Sequence, residues 1–284
     1  MNFMESIQGA ITEAAQQTDM NEAQTGGGER RIPEAGLARL RFISYIEMGT
    51  HHDEKYDKDK TEVVLQFELS GPKHEPFDIN GKKVPHIITI RENLSLNEKA
   101  NFYKLFKRMN HTGEYTHMAQ MLGKEFLGTV VNVTKGEGND KRTYSNLRDD
   151  GGYTIRPPFH EDLEGNSVKV EVQPALTPLK CFLFDYATKD MWDSIFIDGR
   201  WDDKTDDNGK VIKEGRSKNI WQEQIKKAKN WPGSAMAELL LGDGADLPWS
   251  EGAEKPERSE TPEEPKKETS TGAPADPLEG MVPA

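Results

Sequence analysis

Residues 61–71 read TEVVLQFELSG, and this alternation restricts the fold more than any other stretch of the chain. Val63, Leu65, Phe67 and Leu69 alternate with Val64, Gln66, Glu68 and Ser70. A side-chain period of two fits a strand with one apolar face; a helix repeats its faces every 3.6 residues or so. Such a strand needs partners, and similar stretches flank it. LARLRFISYIEMG, residues 37–49, puts Leu40, Phe42, Ile46 and Met48 on one predicted face and Arg39, Arg41 and Tyr45 on the other. The polar THHDEKYDKDK between them is a predicted loop. After the turn residues of SGPKHEP and NGKK, PHIITIRE, residues 85–92, supplies a third strand.

The period then changes. Ser95-Leu-Asn-Glu98 has the S-x-x-E spacing of a capping box, ahead of KANFYKLFKRM. Ala100, Phe102, Tyr103, Phe106 and Met109 fall at helical spacing. A short helix over 116–122 is expected to end at Gly123. FLGTVVNVTK, residues 126–135, returns to strand character, and KRTYSNLRDDGGYTIRPP adds another strand with a turn at Gly151-Gly152. Three strands, a helix and two strands is the element order of a five-stranded OB-type Greek-key barrel. Periodicity alone also allows an open five-stranded sheet capped by a helix.

From about residue 161 the texture differs. SVKVEVQ and LKCFLFDY read as strands, and DDNG is an Asn-Gly hairpin signal between WDSIFIDGRW and KVIKEG. SKNIWQEQIKKAKNW is an amphipathic helix with Ile220, Ile225 and Ala228 inward, followed by the short helix AMAELLLG. The expected organisation is mainly β with α. It comprises a flexible segment 1–30, an OB-like module 31–160, an α/β elaboration 161–249 and a disordered acidic tail 250–284. Charge follows these boundaries: residues 1–30 carry −4, 31–148 carry +3, 149–249 carry −6 and 250–284 carry −5.

Several classes find no support. The one cysteine, Cys181, excludes an intrachain disulfide and suits a reducing compartment, and its place in LKCFLF predicts burial. No apolar run has membrane-spanning length, and MNFMESIQGAITEAAQQ lacks the basic start of a signal peptide. A cytoplasmic protein is expected. The loop WDDKTDDNGKVIKEG fails the calcium-loop pattern, because Lys204 and Gly215 stand where acids are required. His51-His52-Asp53, His111 and His117 have no metal-ligand spacing, GEGNDK is not a phosphate loop, and no G-x-S-x-G occurs. No enzyme, cofactor or metal is expected.

The cations and tyrosines of the first module suggest binding instead. Arg39, Arg41 and Tyr45 share a predicted strand face, and Arg91 lies on the third strand. The loops add Lys58 and Lys60, and the last strands add Lys141, Arg142, Tyr144 and Tyr153. Single-strand binding uses this mixture, because cations neutralise phosphates while aromatic faces stack on bases without choosing among them. The alternative for these positions is an ordinary solvated sheet face, since Glu47, Asp53, Glu54, Asp57 and Asp59 interleave with them.

The stretches ARLRFISYIEMG, TEVVLQFELSG, PHIITIRENLSLNEKANFYKLFKRMN, FLGTVVNV, WDSIFIDG and SKNIWQEQIKKAKNWPGSAMAELL together resemble the single-stranded DNA-binding proteins of tailed bacteriophages. The resemblance implies an OB fold that coats single strands during replication and recombination in the host cytoplasm. It also implies no catalysis, and an acidic C-terminal tail that touches replication enzymes and weakens DNA binding. ADLPW resembles the acidic-then-apolar tip of bacterial members, which makes Asp246, Leu247 and Trp249 the implied partner-docking residues. Unlike that tip, ADLPW is followed by a further 35 residues, and Leu247 and Trp249 could instead fold back on the helix before them. Two other readings compete: a protein-interaction or virion-associated protein, and a metal-dependent nuclease with three converging carboxylates. A continuous basic groove through Arg41 and Arg142 would favour DNA.

Overall fold

The computed structural model describes residues 31–79, 81–138, 141–206 and 210–242. The expectations for 1–30, for the tail 250–284 and for Asp246, Leu247 and Trp249 lie outside the described residues.

The protein is mainly β with short helices. The main sheet contains β1 (Gly36–Asp53), β2 (Lys58–Ser70), β3 (Ile87–Asn93), β4 (Glu125–Lys135), β5 (Arg142–Asn146) and β6 (Lys180–Phe182). Its order is β3-β2-β1-β4-β5, and β6 joins β1 in parallel at Ser44–Ile46. Among the described residues, four two-stranded ribbons decorate it: Phe77–Ile79 with Lys82–Val84, Arg148–Asp149 with Gly152–Tyr153, Phe159–Glu161 with Ser167–Lys169, and Lys204–Thr205 with Val211–Lys213. The helices are α1 (Asn101–Met109), α2 (Lys189–Ser194), α3 (Ile220–Ile225) and α4 (Ala235–Leu241).

The 18 residues of β1 organise the fold. It pairs with β2 along its length, but the register slips between Phe42 and Ser44 and again between Glu47 and Gly49. Each slip is a bulge, and a bulge turns the residues after it to the opposite face. Tyr45 therefore joins Leu40 and Phe42 in the inner core, while Ile46 and Met48 turn outward into a second core. This corrects the expected faces: Tyr45 is fully buried rather than open with Arg39 and Arg41. A strict alternation through LARLRFISYIEMG missed the extra residue at Ile43.

The inner core lies between the curled sheet and α1. Val63, Leu65, Phe67 and Leu69 of β2 face it as expected, and Phe102, Leu105 and Met109 of α1 fill one end. The predicted capping box does not form. Ala100 is the N-cap with no side-chain bond, and Ser95 and Asn97 instead accept from the backbone N–H groups two residues on. The later start turns Leu105 inward and leaves Tyr103 half-buried. His117 caps a 3₁₀ turn at Met118–Met121, and Gly123 follows at φ +79°.

The sheet is not closed into a barrel. The free edges of β3 and β5 come alongside each other, but no hydrogen-bonded ladder joins them. Side chains bridge the seam: Tyr153 donates its hydroxyl to Glu92 of β3 at 2.5 Å, and Arg148 lies 3.6 Å from the same carboxylate.

The second core sits on the outer face of β1 and β2. Ile46, Met48 and Val64 are covered by Phe182, Phe184, Trp192, Ile195, Trp221 and Ile225. Ile220, expected inward, is 47% exposed, because α3 begins there and presents Trp221 and Ile225 to the core. Of WDSIFIDG, only Trp192–Ser194 are regular, as the end of α2, where Thr188 accepts from the Met191 N–H; residues 196–199 form no strand. Glu47 ties the two cores together, accepting from the Tyr45 hydroxyl at 3.0 Å and the Phe184 N–H at 2.8 Å. Cys181 is half-buried beside this junction. Burial, and secondarily Glu47, raises its thiol from 9.0 to about 11. The folded protein therefore holds this proton to higher pH than the unfolded chain. The resulting stability is present below pH 9 and is lost as the pH rises towards 11. At pH 8 the folded thiolate fraction falls about a hundredfold, so a disulfide exchange reagent should label Cys181 far more slowly than after denaturation. Equal rates would contradict this burial.

Candidate nucleic-acid interface

The outer face of the sheet was the expected binding surface, and much of it is occupied. The segment 172–177 crosses it as a strap held by two side chains. Arg41 donates to the carbonyls of Val172 at 2.5 Å, Gln173 at 2.9 Å and Gly123 at 2.9 Å, and it lies 3.8 Å from Glu125. Glu68, opposite Arg41 on β2, is buried and accepts from the N–H groups of Leu176 at 2.7 Å and Thr177 at 2.8 Å. Both charged groups are thus satisfied by backbone rather than presented to a ligand. Replacing Glu68 with alanine removes both acceptors and should speed amide hydrogen exchange at Leu176 and Thr177 by about tenfold or more. Unchanged protection would show that the strap is held elsewhere.

The other predicted residues fall into four places. Lys58 and Lys60 lie at the β1–β2 hairpin; Lys60 pairs with Asp53 and stands 4.8 Å over the Tyr56 ring. Arg91 is exposed on β3, 3.3 Å from Glu62. Lys141 and Arg142 are exposed at the β4–β5 hairpin, with Arg142 opposite Lys135 and Tyr144 41% exposed beside them. Arg39 is half-buried near the start of β1. The fourteen residue steps from Arg39 to Asp53, which is opposite Lys58, make roughly 45 Å of strand. The predicted set is therefore not one cluster. The groove through Arg41 and Arg142 is not formed, since Arg41 is committed to the strap.

Two predicted stacking residues are corrected. Tyr45 is in the core, and its hydroxyl is used by Glu47. Tyr153 is half-buried at the seam, bonded to Glu92 and 5.6 Å beneath the Arg148 guanidinium. Burial, and then Glu92, holds the Tyr153 hydroxyl protonated far above its ordinary range. The Tyr45 ring presents no face for a base, and the Tyr153 ring is engaged by Arg148.

What remains open is the outer stripe of β3, where Ile87, Thr89, Arg91 and Asn93 are exposed, together with the exposed hairpin cations Lys58, Lys141 and Arg142. A separate cleft of about 530 Å³ lies between the outer face near Arg39 and the ribbon 159–169. The register explains how it is built. Ser70, Arg39 and Leu127 are direct cross-strand partners, and Arg156 bridges to Leu127, so all four share one face. The ribbon folds over this row and adds His160 and Lys169, and the residues just after it add Glu171. Sequence reasoning missed Arg156, His160 and Lys169. Arg156 and His160 are isolated polar residues in stretches without periodicity, and Lys169 sits in the predicted strand SVKVEVQ; their place over the sheet depends on contacts distant in sequence, from Arg156 to Leu127, Lys169 to Glu125 and Val172 to Arg41.

Among the described residues, no group of three His, Cys, Asp or Glu side chains could hold a metal ion. No helix among them is long and apolar enough to cross a membrane. No protein-family model, curated protein or solved structure matches the chain.

Proposed function

We propose that the protein binds single-stranded DNA without strong sequence preference, through an OB-like module, and performs no catalysis. The observation that carries this reading is the strand order β3-β2-β1-β4-β5 with α1 between β3 and β4. That is the order of an OB module opened at one seam. OB modules bind oligonucleotides over strands two and three, between the loops that follow strands one and four. Here the open stripe of β3 carries Thr89 and Arg91. The first loop carries Lys55, Tyr56 and Lys58, and the second is flanked by Lys135, Lys141, Arg142 and Tyr144. Cations beside exposed aromatics suit a backbone-tracking, base-stacking mode. The resemblance to phage proteins supports a role in phage DNA replication or recombination in the host cytoplasm, with the acidic tail contacting replication enzymes. A mobility-shift titration with a 40-nucleotide oligo-dT, an equal-length duplex and an equal-length RNA tests the reading. Retardation of oligo-dT at concentrations that leave the duplex free is expected; no retardation of any probe would end it.

A protein-interaction role is the second reading. It is favoured by the exposed apolar side chains of the C-terminal part: Trp201 at 60%, Ile212 at 66% and Phe196 at 52%. Isolated apolar residues on a surface are common, whereas several large ones in one region mark a partner surface.

A further inference from the structure

We infer that the cleft at Arg39 seats one nucleotide of the bound strand, with the phosphodiester on Arg39 and Arg156 and the base against Leu37, Pro72 and Val170. This rests on the single-strand reading and gives it a subsite away from the open stripe of β3.

Three observations converge on the cleft. The first is an unmatched donor set. Arg39 is half-buried, yet its guanidinium has no hydrogen bond or ion pair with another described residue. A guanidinium carries five N–H donors in a planar fork that fits a phosphate, and partial burial without an acceptor is unfavourable. The neighbouring Ser70 hydroxyl is also buried without a hydrogen-bond partner. The second is sign. Arg39, Arg156 and Lys169 line the cleft with His160, against one lining acid, Glu171. Arg156 spends one nitrogen on the Phe159 carbonyl at 3.2 Å, and Lys169 lies 3.4 Å from Glu125, so both keep donors for a ligand. The third is size and floor. About 530 Å³ is within the range of small-ligand pockets, and Leu37, Ala38, Leu127 and Val170 make an apolar surface. A phosphate alone would use the cations and leave that surface wet; a nucleotide uses both. An acidic peptide is the competing occupant. The cleft lies beside β4, which leads directly to the Lys135–Arg142 hairpin, so a strand tracking that hairpin passes its mouth.

The test compares the full-length protein with Arg39→Ala and, separately, Lys169→Glu, by fluorescence anisotropy of labelled oligo-dT. Thermal unfolding of each variant provides the folding control. The expected result is a loss of about tenfold or more in affinity and a shallower salt dependence for each variant. Tight binding by the unaltered protein with no change in either variant would overturn the cleft subsite and leave the single-strand reading standing. No binding by the unaltered protein would overturn both. Should a variant fail to fold, photocrosslinking of 4-thiothymidine oligonucleotides to the unaltered protein decides. Adducts on peptides containing Leu37–Arg41 or His160–Glu171 support the subsite, and adducts confined elsewhere overturn it. If an acidic peptide occupies the cleft without displacing oligo-dT, the subsite is likewise overturned.

Discussion

Replacing Gly49 with alanine is expected to destabilise the protein by about 3 kcal/mol or more, combining left-handed backbone strain with overpacking. Gly49 lies at the second slip of β1 with φ +78°. A Cβ there would stand 2.5 Å from the Phe184 ring, 2.6 Å from the Ala228 methyl and 2.9 Å from Asn230 Oδ1. These are the residues that dock the C-terminal part onto the sheet. Thr50 donates to Asn230 Oδ1 and accepts from the Lys229 N–H, each at 2.8 Å. Relief would require moving this whole contact, so the cost falls on the second core as a unit. Urea unfolding measures it as a lowered midpoint with near-unchanged slope. A loss below about 1 kcal/mol would mean that the second core yields easily and that the two cores are not coupled through β1.

That coupling is also where the sequence stopped being legible. The alternation of Val63, Leu65, Phe67 and Leu69 identified β2 because one face is buried throughout and no residue interrupts it. The same logic failed in β1, where two bulges exchange the faces and both faces are buried, so apolar residues stop alternating. Tyr45 reads as an exposed aromatic beside two arginines until Ile43 is seen to be unpaired with β2. Arg41 and Glu68 read as solvated charges, and they become structural because a distant backbone, residues 172–177, crosses between them. Side-chain type reveals charge but not the backbone partner that consumes it. The exposure of the hairpin cations, in contrast, follows from residue type. Lys141 and Arg142 flank a turn, and both are exposed as placed.

Reversing both charges in that hairpin, Lys141→Glu with Arg142→Glu, should weaken oligo-dT binding by more than tenfold at about 0.1 M salt. The two side chains are exposed, and Arg142 faces Lys135 across the hairpin, so the wild-type site concentrates positive charge where a phosphate backbone can approach. Each phosphate contact on a single strand contributes roughly 0.7 to the slope of log K against log salt. Losing two contacts lowers the slope by about 1.4, and replacing cations with anions adds repulsion beyond that loss. Neither side chain packs in a core, so the unfolding midpoint should stay within experimental error of wild type. Reversal of Lys189 and Lys227, which lie on α2 and just beyond α3, provides the matching control away from the proposed surface. Equal losses in both double variants would mean that net charge, rather than this hairpin, governs binding.

The most direct test of single-strand binding is fluorescence anisotropy of labelled oligo-dT against an equal-length duplex across a salt series. Tight binding to the single strand at low salt and much weaker binding to the duplex are expected. Log K should fall linearly with log salt with a slope of about −2 or steeper, as three or more phosphate contacts require. Equal affinity for strand and duplex, or a slope near zero, would contradict the proposal.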